Sequence, residues 1–173
     1  MQKFVGAAAL LAGLCVSAAQ AQAPVATPVP GAPPMPASPP QLQYGTPLNL
    51  DQAKKVVAAA EAEAAKRKVR ITMAVVDNAG QLIYFQKAID GPNSAEEYAV
   101  KKARAAARTR YPTKYDADRY AAGVTALTTV EAVFPFGGGR PIVYQGKVVG
   151  GVGVTGGFDD DIAQAGAKAL EGP

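Results

Sequence analysis

An alanine-rich stretch in the middle of the chain carries one lysine where chemistry could occur. Lys102 shares a predicted helical face with Ala99, Ala103 and Ala106, so its ammonium would lie near an apolar core. There it could hold a small carboxylate or carbonyl compound, or it could form a structural ion pair. Asp77, at the end of a predicted strand, is the partner we expect, and the residues alone favour the structural pair.

Oxygen donors and guanidinium groups follow the same stretch. Tyr111, Thr113 and Tyr115 lie close in sequence to Arg108, and Arg140 follows three glycines. Phenolate and hydroxyl oxygens are ligands for ferric iron, and guanidinium groups bind carboxylates with two parallel hydrogen bonds. Tyrosine and arginine at a helix end are also typical of packing or subunit contact, and that interpretation stays open.

Several common chemistries are excluded by composition. The chain has no histidine, and its single cysteine, Cys15, lies in an apolar N-terminal run. Imidazole chemistry is therefore impossible, as are Ser-His-Asp and Cys-His catalysis. Asp159, Asp160 and Asp161 are consecutive, so they cannot all face one cation, and negative charge at a helix start explains them better than a metal site. Any catalysis would come from a bound cofactor, and enzymatic activity stays an open question.

The N-terminal part of the chain is typical of an exported protein. Residues 1–21 combine Lys3, a short apolar run and an Ala-Gln-Ala cleavage signal, which predicts a signal peptide and no membrane span. Residues 22–46 are uncharged and rich in proline and alanine, which predicts a disordered linker. We therefore expect a periplasmic or secreted domain over residues 47–173. Its net charge is too mild for a nucleic-acid partner.

The remaining patterns predict one α+β domain. Capping boxes at Asn49 and Ser94 predict helices over 49–68 and 94–110, and less regular patterns predict helices over 116–133 and 159–170. Hairpins are predicted around residues 78–80 and at the Gln145-Gly146 turn. This order indicates an antiparallel sheet of about four to five strands flanked by helices.

Glycines interrupt the last predicted strand. Gly150, Gly151 and Gly153 would weaken a strand that packs side chains against a core. We therefore expect a helix, a ligand or another subunit to approach this strand closely.

Four motifs together carry a family resemblance. They are AVVDNAG at 74–80, AVKKARAA at 99–106, GGRPI at 138–142 and GKVVGGVGVTG at 146–156. The chain resembles, over residues 48–170, the small haem-binding and haem-degrading proteins that include the glycolate-operon accessory protein. The C-terminal domain of some corrinoid adenosyltransferases belongs to the same group.

The resemblance implies an antiparallel sheet between helices, assembly into homo-oligomers and haem as a cofactor. On this basis we expect weak haem binding at a surface or subunit-interface site. The expected cofactor-binding residues are Arg108, Tyr111, Thr113, Tyr115 and Arg140, with no histidine available as an axial ligand. The alternative is a non-haem accessory protein or enzyme that uses Lys102 on a small carboxylate or carbonyl compound. A third possibility is an assembly protein without a ligand.

Overall fold

A computed structural model describes residues 31–171 of the chain. The predicted signal peptide, Cys15 and the first part of the predicted linker lie outside the described residues. The strands are β1 Gln43–Tyr44, β2 Thr72–Asp77, β3 Leu82–Gln86, β4 Gly139–Tyr144 and β5 Lys147–Thr155. The α-helices are α1 Leu50–Lys66, α2 Ala95–Thr109, α3 Thr113–Ala121 and α4 Asp159–Ala167, and two 3-10 helices span Thr125–Thr129 and Lys168–Leu170.

The five strands form one mostly antiparallel sheet around β5. The hairpin partner β4 pairs with one edge of β5, and β2 pairs with the other edge and then with β3. The short β1 pairs in parallel with the start of β5, through Gln43 opposite Lys147. The predicted α+β class with an antiparallel sheet of four to five strands is confirmed.

Helices cover both faces of the sheet. Side chains of α1 and α4 build the larger apolar core, which includes Val56 and Ile162, against residues such as Val152 and Val154 of β5. On the other face, alanines of α2 pack against Ala74 and Val76 of β2. The site residues predicted from the sequence therefore belong to the face that α2 covers, or to the loops beside it.

Glycine in β5 lets α2 approach the sheet closely. A Cβ atom at Gly153 would collide with the carbonyl oxygen of Ala99, and one at Gly151 with that of Ala103. Gly150 faces the opposite side of the sheet, where a Cβ atom would collide with Leu48. Of the three expected neighbours, the structure therefore places a helix against Gly151 and Gly153, whereas Leu48, which precedes α1, lies against Gly150.

Three local expectations need correction or addition. The helix expected over 116–133 is wrong in its bounds, because α3 starts at Thr113 and ends before Gly123, whose φ of +98° is incompatible with a continuing helix. The capping box at Asn49 forms, whereas the Ser94 side chain makes no capping hydrogen bond. Part of the segment expected to be a disordered linker, Gln43–Tyr44, forms β1.

Within residues 31–171, no helix has both the length and the apolar character needed to cross a membrane.

Candidate functional site

Lys102 lies in a buried ion pair between α2 and the start of α4. Its Nζ atom donates to Asp159 Oδ2 at 2.7 Å and to the carbonyl oxygen of Val154 at 2.8 Å. The residue is 3% exposed. The predicted partner Asp77 was wrong, because its Oδ1 atom instead accepts the backbone N–H groups of Ala79 and Gln81 in the β2–β3 turn.

The three consecutive aspartates of α4 form ion pairs with three different residues. Asp159 pairs with Lys102 and also accepts the N–H groups of Gly156 and Gly157 through Oδ1. Asp160 pairs with Arg140 at 2.7 Å, and Asp161 pairs with Arg67 at 3.2 Å. Because their carboxylates diverge, they act as separate links between α4 and its neighbours.

Thr113 fixes the glycine loop that precedes β4. Its Oγ1 atom donates to the carbonyl oxygen of Phe136 at 2.6 Å and accepts the N–H of Gly139 at 2.9 Å. The residue is fully buried. A hydroxyl that is bonded on both sides in this way positions the backbone, and the loop would have to move before the hydroxyl could reach a metal ion.

Arg140 holds the same loop from the other side. Its Nη2 atom binds Asp160, and Asp160 also accepts the N–H of Gly138 at 3.3 Å. A Cβ atom at Gly138 would lie 3.1 Å from Lys102 Nζ, so this loop lies directly over the buried ammonium. The structure thus brings Lys102, Thr113 and Arg140 together around residues 136–140.

Tyr111 and Tyr115 form a second cluster at the α2–α3 junction. Their rings meet edge to face with centroids 5.1 Å apart. The Tyr111 hydroxyl donates to Asp116 Oδ1 at 3.3 Å, and Arg119 binds the same oxygen at 3.3 Å. The Arg119 guanidinium also lies 5.4 Å from the centre of the Tyr115 ring.

The surroundings of Tyr111 affect its capacity to act as an oxygen ligand. Burial, aided by the Asp116 carboxylate, raises the pKa of the Tyr111 phenol. Burial also raises the pKa of Asp116, although Arg119 opposes the shift. A raised pKa disfavours the phenolate that binds ferric iron, so the surroundings of Tyr111 oppose its use as an iron ligand.

Residues 38–44, which we call the N-terminal arm, cross this second cluster. Ser38 Oγ and the Tyr115 hydroxyl share a hydrogen bond of 3.2 Å. Arg110 donates from Nη1 to the Leu42 carbonyl oxygen at 2.8 Å and from Nη2 to Gln41 Oε1 at 2.7 Å. The Tyr44 hydroxyl donates to the carbonyl oxygen of Arg108 at 2.8 Å.

The five predicted cofactor-binding residues are thus divided among three places. Thr113 and Arg140 belong to the glycine loop, and Tyr111 and Tyr115 belong to the cluster under the N-terminal arm. The Arg108 guanidinium points elsewhere, with its Nε atom 3.4 Å from the carbonyl oxygen of Ala79.

Sequence reasoning missed an aromatic surface beside the glycine loop. The ring centroids of Phe134 and Phe136 are 5.1 Å apart, and the ring centroid of Tyr98 lies 5.8 Å from each of them. Tyr98 and Phe136 are exposed. The sequence signal was the Phe-Pro-Phe triplet directly before three glycines. Clustered exposed aromatic rings are typical of a ligand or subunit contact.

The sequence of the chain matches a known protein family. The sequence model of the family described as "HbpS-like: Haem degrading protein HbpS-like" matches residues 48–170, which include both clusters. The chain belongs to the HbpS-like family. The resemblance inferred from the four sequence motifs is thereby confirmed.

Curated relatives of this HbpS-like chain include proteins of enteric bacteria. An uncharacterized 15.0 kDa protein of the dhaT-dhaS intergenic region of Citrobacter freundii is 33% identical over 114 residues, which cover 64% of this chain and 80% of the relative. Protein GlcG of Escherichia coli K12 is 33% identical over 108 residues, 62% of this chain and 81% of GlcG.

Solved structures share the HbpS-like fold. A double mutant of Streptomyces reticuli HbpS is 30% identical, with a TM-score of 0.66 over 82% of this chain and 99% of that chain. A crystal structure described as the PduOC:haem complex is 26% identical, with a TM-score of 0.63 over 72% of this chain and 96% of the other.

Four surface clefts of the HbpS-like domain lie away from the tyrosines, Thr113 and Arg140 that were predicted to bind haem. The largest, of about 520 Å³, lies between the end of α1 and the segment after β3, and is lined by Lys68, Arg70 and Asp90 among others. None of these four clefts is lined by Tyr111, Thr113, Tyr115 or Arg140. A ligand held by these residues would therefore lie outside all four of these clefts.

Proposed function

We propose that the protein is an exported small-ligand-binding protein that binds haem weakly at a surface or subunit-interface site. The HbpS-like family match over residues 48–170 carries the proposal. A haem complex of a protein with the same fold and 26% identity supports it. We expect weak affinity of a surface site, because a flat surface buries less of a macrocycle than a closed pocket does.

The α2–α3 junction supplies the chemistry that such a site needs. Tyr115 offers a phenol oxygen to ferric iron, and no histidine exists in the chain to compete with it. Arg110 directly precedes Tyr111 in the chain, and Arg119 lies 5.4 Å from the centre of the Tyr115 ring, so both would attract propionates. Under this proposal, Thr113 and Arg140 contribute to haem binding indirectly, because they hold the loop that borders α3.

The alternative use of Lys102 has weaker support from the geometry. A carboxylate or carbonyl substrate would have to displace Asp159 and the Val154 carbonyl oxygen from an ammonium that is 3% exposed. Breaking a buried ion pair costs several kcal/mol, which a small ligand would have to recover. Haem at the α2–α3 junction demands no such rearrangement of the core.

Titration of the purified protein with hemin tests the proposal. We expect a saturable change in the Soret band, with one haem per subunit or one per dimer. An unrelated protein of similar net charge is the control for nonspecific adsorption. Unsaturable binding that matches the control would refute haem binding, and screening of small carboxylates by thermal stabilisation would then test the Lys102 alternative.

Export and assembly are separate parts of the proposal. Expression of the full chain in a Gram-negative host, followed by N-terminal sequencing of the periplasmic protein, tests whether residues 1–21 are removed. Light scattering with and without hemin tests whether the protein is a homo-oligomer and whether haem changes the subunit number.

A further inference from the structure

The N-terminal arm presents two oxygens to Arg110 in the way a carboxylate would. Nη1 binds the carbonyl oxygen of Leu42 at 2.8 Å, and Nη2 binds Gln41 Oε1 at 2.7 Å. A planar guanidinium makes the same paired contact with the two oxygens of a carboxylate, where the hydrogen bonds gain strength from the negative charge. The arm therefore fills a position that suits a ligand carboxylate better than it suits neutral oxygens.

Arg110 lies at the C-terminal end of α2 in an unusual backbone conformation. The residue caps the C-terminus of α2 with φ +65° and ψ +21°, a left-handed conformation that favours glycine or asparagine. Its Nε atom is buried and has no hydrogen-bond partner within residues 31–171. The guanidinium thus keeps an unused donor, which the arm does not satisfy.

The same arm covers the phenol of Tyr115. Ser38 is bonded to its hydroxyl at 3.2 Å, and the Tyr44 ring lies 5.1 Å from the Arg110 guanidinium. Ser38, Gln41 and Tyr44 are all exposed, so their release would uncover little apolar surface. Beyond the arm, Gly45 is tied to β5 by a backbone hydrogen bond to Val148, and this bond marks where a released arm would stay attached.

We propose that Arg110 is a carboxylate-binding anchor, and that the N-terminal arm occupies it until a propionate of haem displaces the arm. Displacement also frees Tyr115 to reach the iron, so carboxylate and iron binding are coupled through one segment. The inference rests on the proposed haem-binding function and adds to it a competing internal ligand. Haem binding would then be weak partly because the arm must be released first.

Hemin titrations of the full chain and its variants test the competition. Gln41→Ala and Ser38→Ala remove contacts of the arm and leave Arg110 intact, so each is expected to tighten hemin binding about threefold. Arg110→Gln removes the anchor and is expected to weaken binding about tenfold. Arg104→Gln, which changes the same charge on α2 beside the β2–β3 turn, is the matched control and should leave the affinity unchanged.

Hydrogen exchange gives a second readout that does not depend on affinity. Amides of the N-terminal arm, in which Gln43 and Tyr44 pair with the start of β5, should exchange faster once hemin is bound, whereas amides of β2 should not. This measurement uses the wild-type chain, so it remains decisive if Arg110→Gln fails to fold.

Each contrary outcome has its own meaning. Saturable hemin binding with an unchanged arm, and with unchanged affinity in Gln41→Ala, would overturn the competition and leave haem binding in place. Loss of affinity in Phe136→Ala together with normal affinity in Arg110→Gln would place haem on the aromatic surface and overturn the anchor. Unsaturable binding by the wild type would refute the proposed function and the inference together.

Discussion

Lys102 and Asp159 form a buried ion pair whose Nζ and Oδ2 atoms are 2.7 Å apart and 57 residues apart in sequence. The pair links the middle of α2 to the first turn of α4. Asp159 simultaneously accepts the N–H groups of Gly156 and Gly157, so one carboxylate fixes a helix start, a turn and the neighbouring helix. The glycine loop before β4 lies directly over this arrangement.

Lys102→Met should destabilise the protein by about 3 kcal/mol, because Asp159 would keep a partly buried charge without its cation. Urea denaturation measures the free energy of unfolding. Lys101→Met is the matched control, since Lys101 pairs with Glu97 on the exposed side of the same helix and should cost less than about 1 kcal/mol.

A different result for Lys102→Met would support the alternative function, in which Lys102 binds a small carboxylate or carbonyl compound. If Lys102→Met folds with wild-type stability but loses thermal stabilisation by a small carboxylate, the lysine is a functional ammonium and not a structural one. Asp159→Asn would then leave that ligand stabilisation intact.

Gly153→Ala should destabilise the protein by about 3 kcal/mol or prevent folding. The added methyl group would collide with the backbone of Ala99 and lie 2.5 Å from the N atom of Ala103, so α2 would have to leave the sheet. Thermal unfolding followed by circular dichroism measures the effect. Gly137→Ala is the control, because among residues 31–171 the only atom within 4.0 Å of its Cβ atom would be Lys114 Cβ. Equal effects of the two substitutions would contradict the close approach of α2.

Thr113→Val should cost about 2 kcal/mol, since the N–H of Gly139 and the carbonyl oxygen of Phe136 would each lose a buried partner. Thr113→Ser keeps the hydroxyl and should retain most of the stability. If Thr113 instead ligates iron, Thr113→Val would change the ferric spectrum at unchanged stability. Spectra and unfolding curves of the two variants separate these roles.

Local patterns were sufficient to predict most of the fold. The Asn49 capping box and the periodic valines and alanines after it specify α1, and the Gln145-Gly146 turn specifies the β4–β5 hairpin. The glycines of β5 indicated a close neighbour, although only the three-dimensional structure identified it as α2. Such signals lie within a few residues of the element that they define, so they can be read without tertiary information.

The site could be predicted only in part, because its contacts join distant segments. The sequence showed that Lys102 needs a partner, but the choice between Asp77 and Asp159 depends on which loop covers α2. The contacts of Arg110 with Gln41 and Leu42 span nearly 70 residues and come from a segment whose composition predicted disorder. Nothing in the periodicity of α2 reveals such a contact.

Asp116 should make stability depend on pH. Burial raises the pKa of Asp116 in the folded protein above its unfolded value of about 4, so the folded state holds the proton more tightly. The contribution of this group is therefore favourable at low pH and is lost as pH rises from about 4 through the folded pKa. Asp116→Asn removes this loss, so the variant should gain stability relative to wild type over that range.

Urea denaturation at a series of pH values from about 3.5 to 7 measures the difference between Asp116→Asn and wild type. Asp118→Asn is the control, because the Asp118 side chain is 45% exposed and pairs with Lys114. A constant difference between Asp116→Asn and wild type across the series would show that Asp116 titrates at the same pH in both states.

Tyr115→Phe should change the ferric haem spectrum more than Tyr111→Phe does. In the described part of the chain, the Tyr115 hydroxyl bonds only to the exposed Ser38. The Tyr111 hydroxyl is instead held by Asp116, and the pKa of its phenol is raised, mainly by burial. Removing the better oxygen donor should abolish the charge-transfer absorption typical of iron–phenolate ligation. Both variants should retain the fold and the oligomeric state of the wild type, as measured by circular dichroism and light scattering. Identical spectra for wild type and both variants would exclude tyrosine ligation at the α2–α3 junction, and the iron ligand would then have to come from another surface, such as Tyr98.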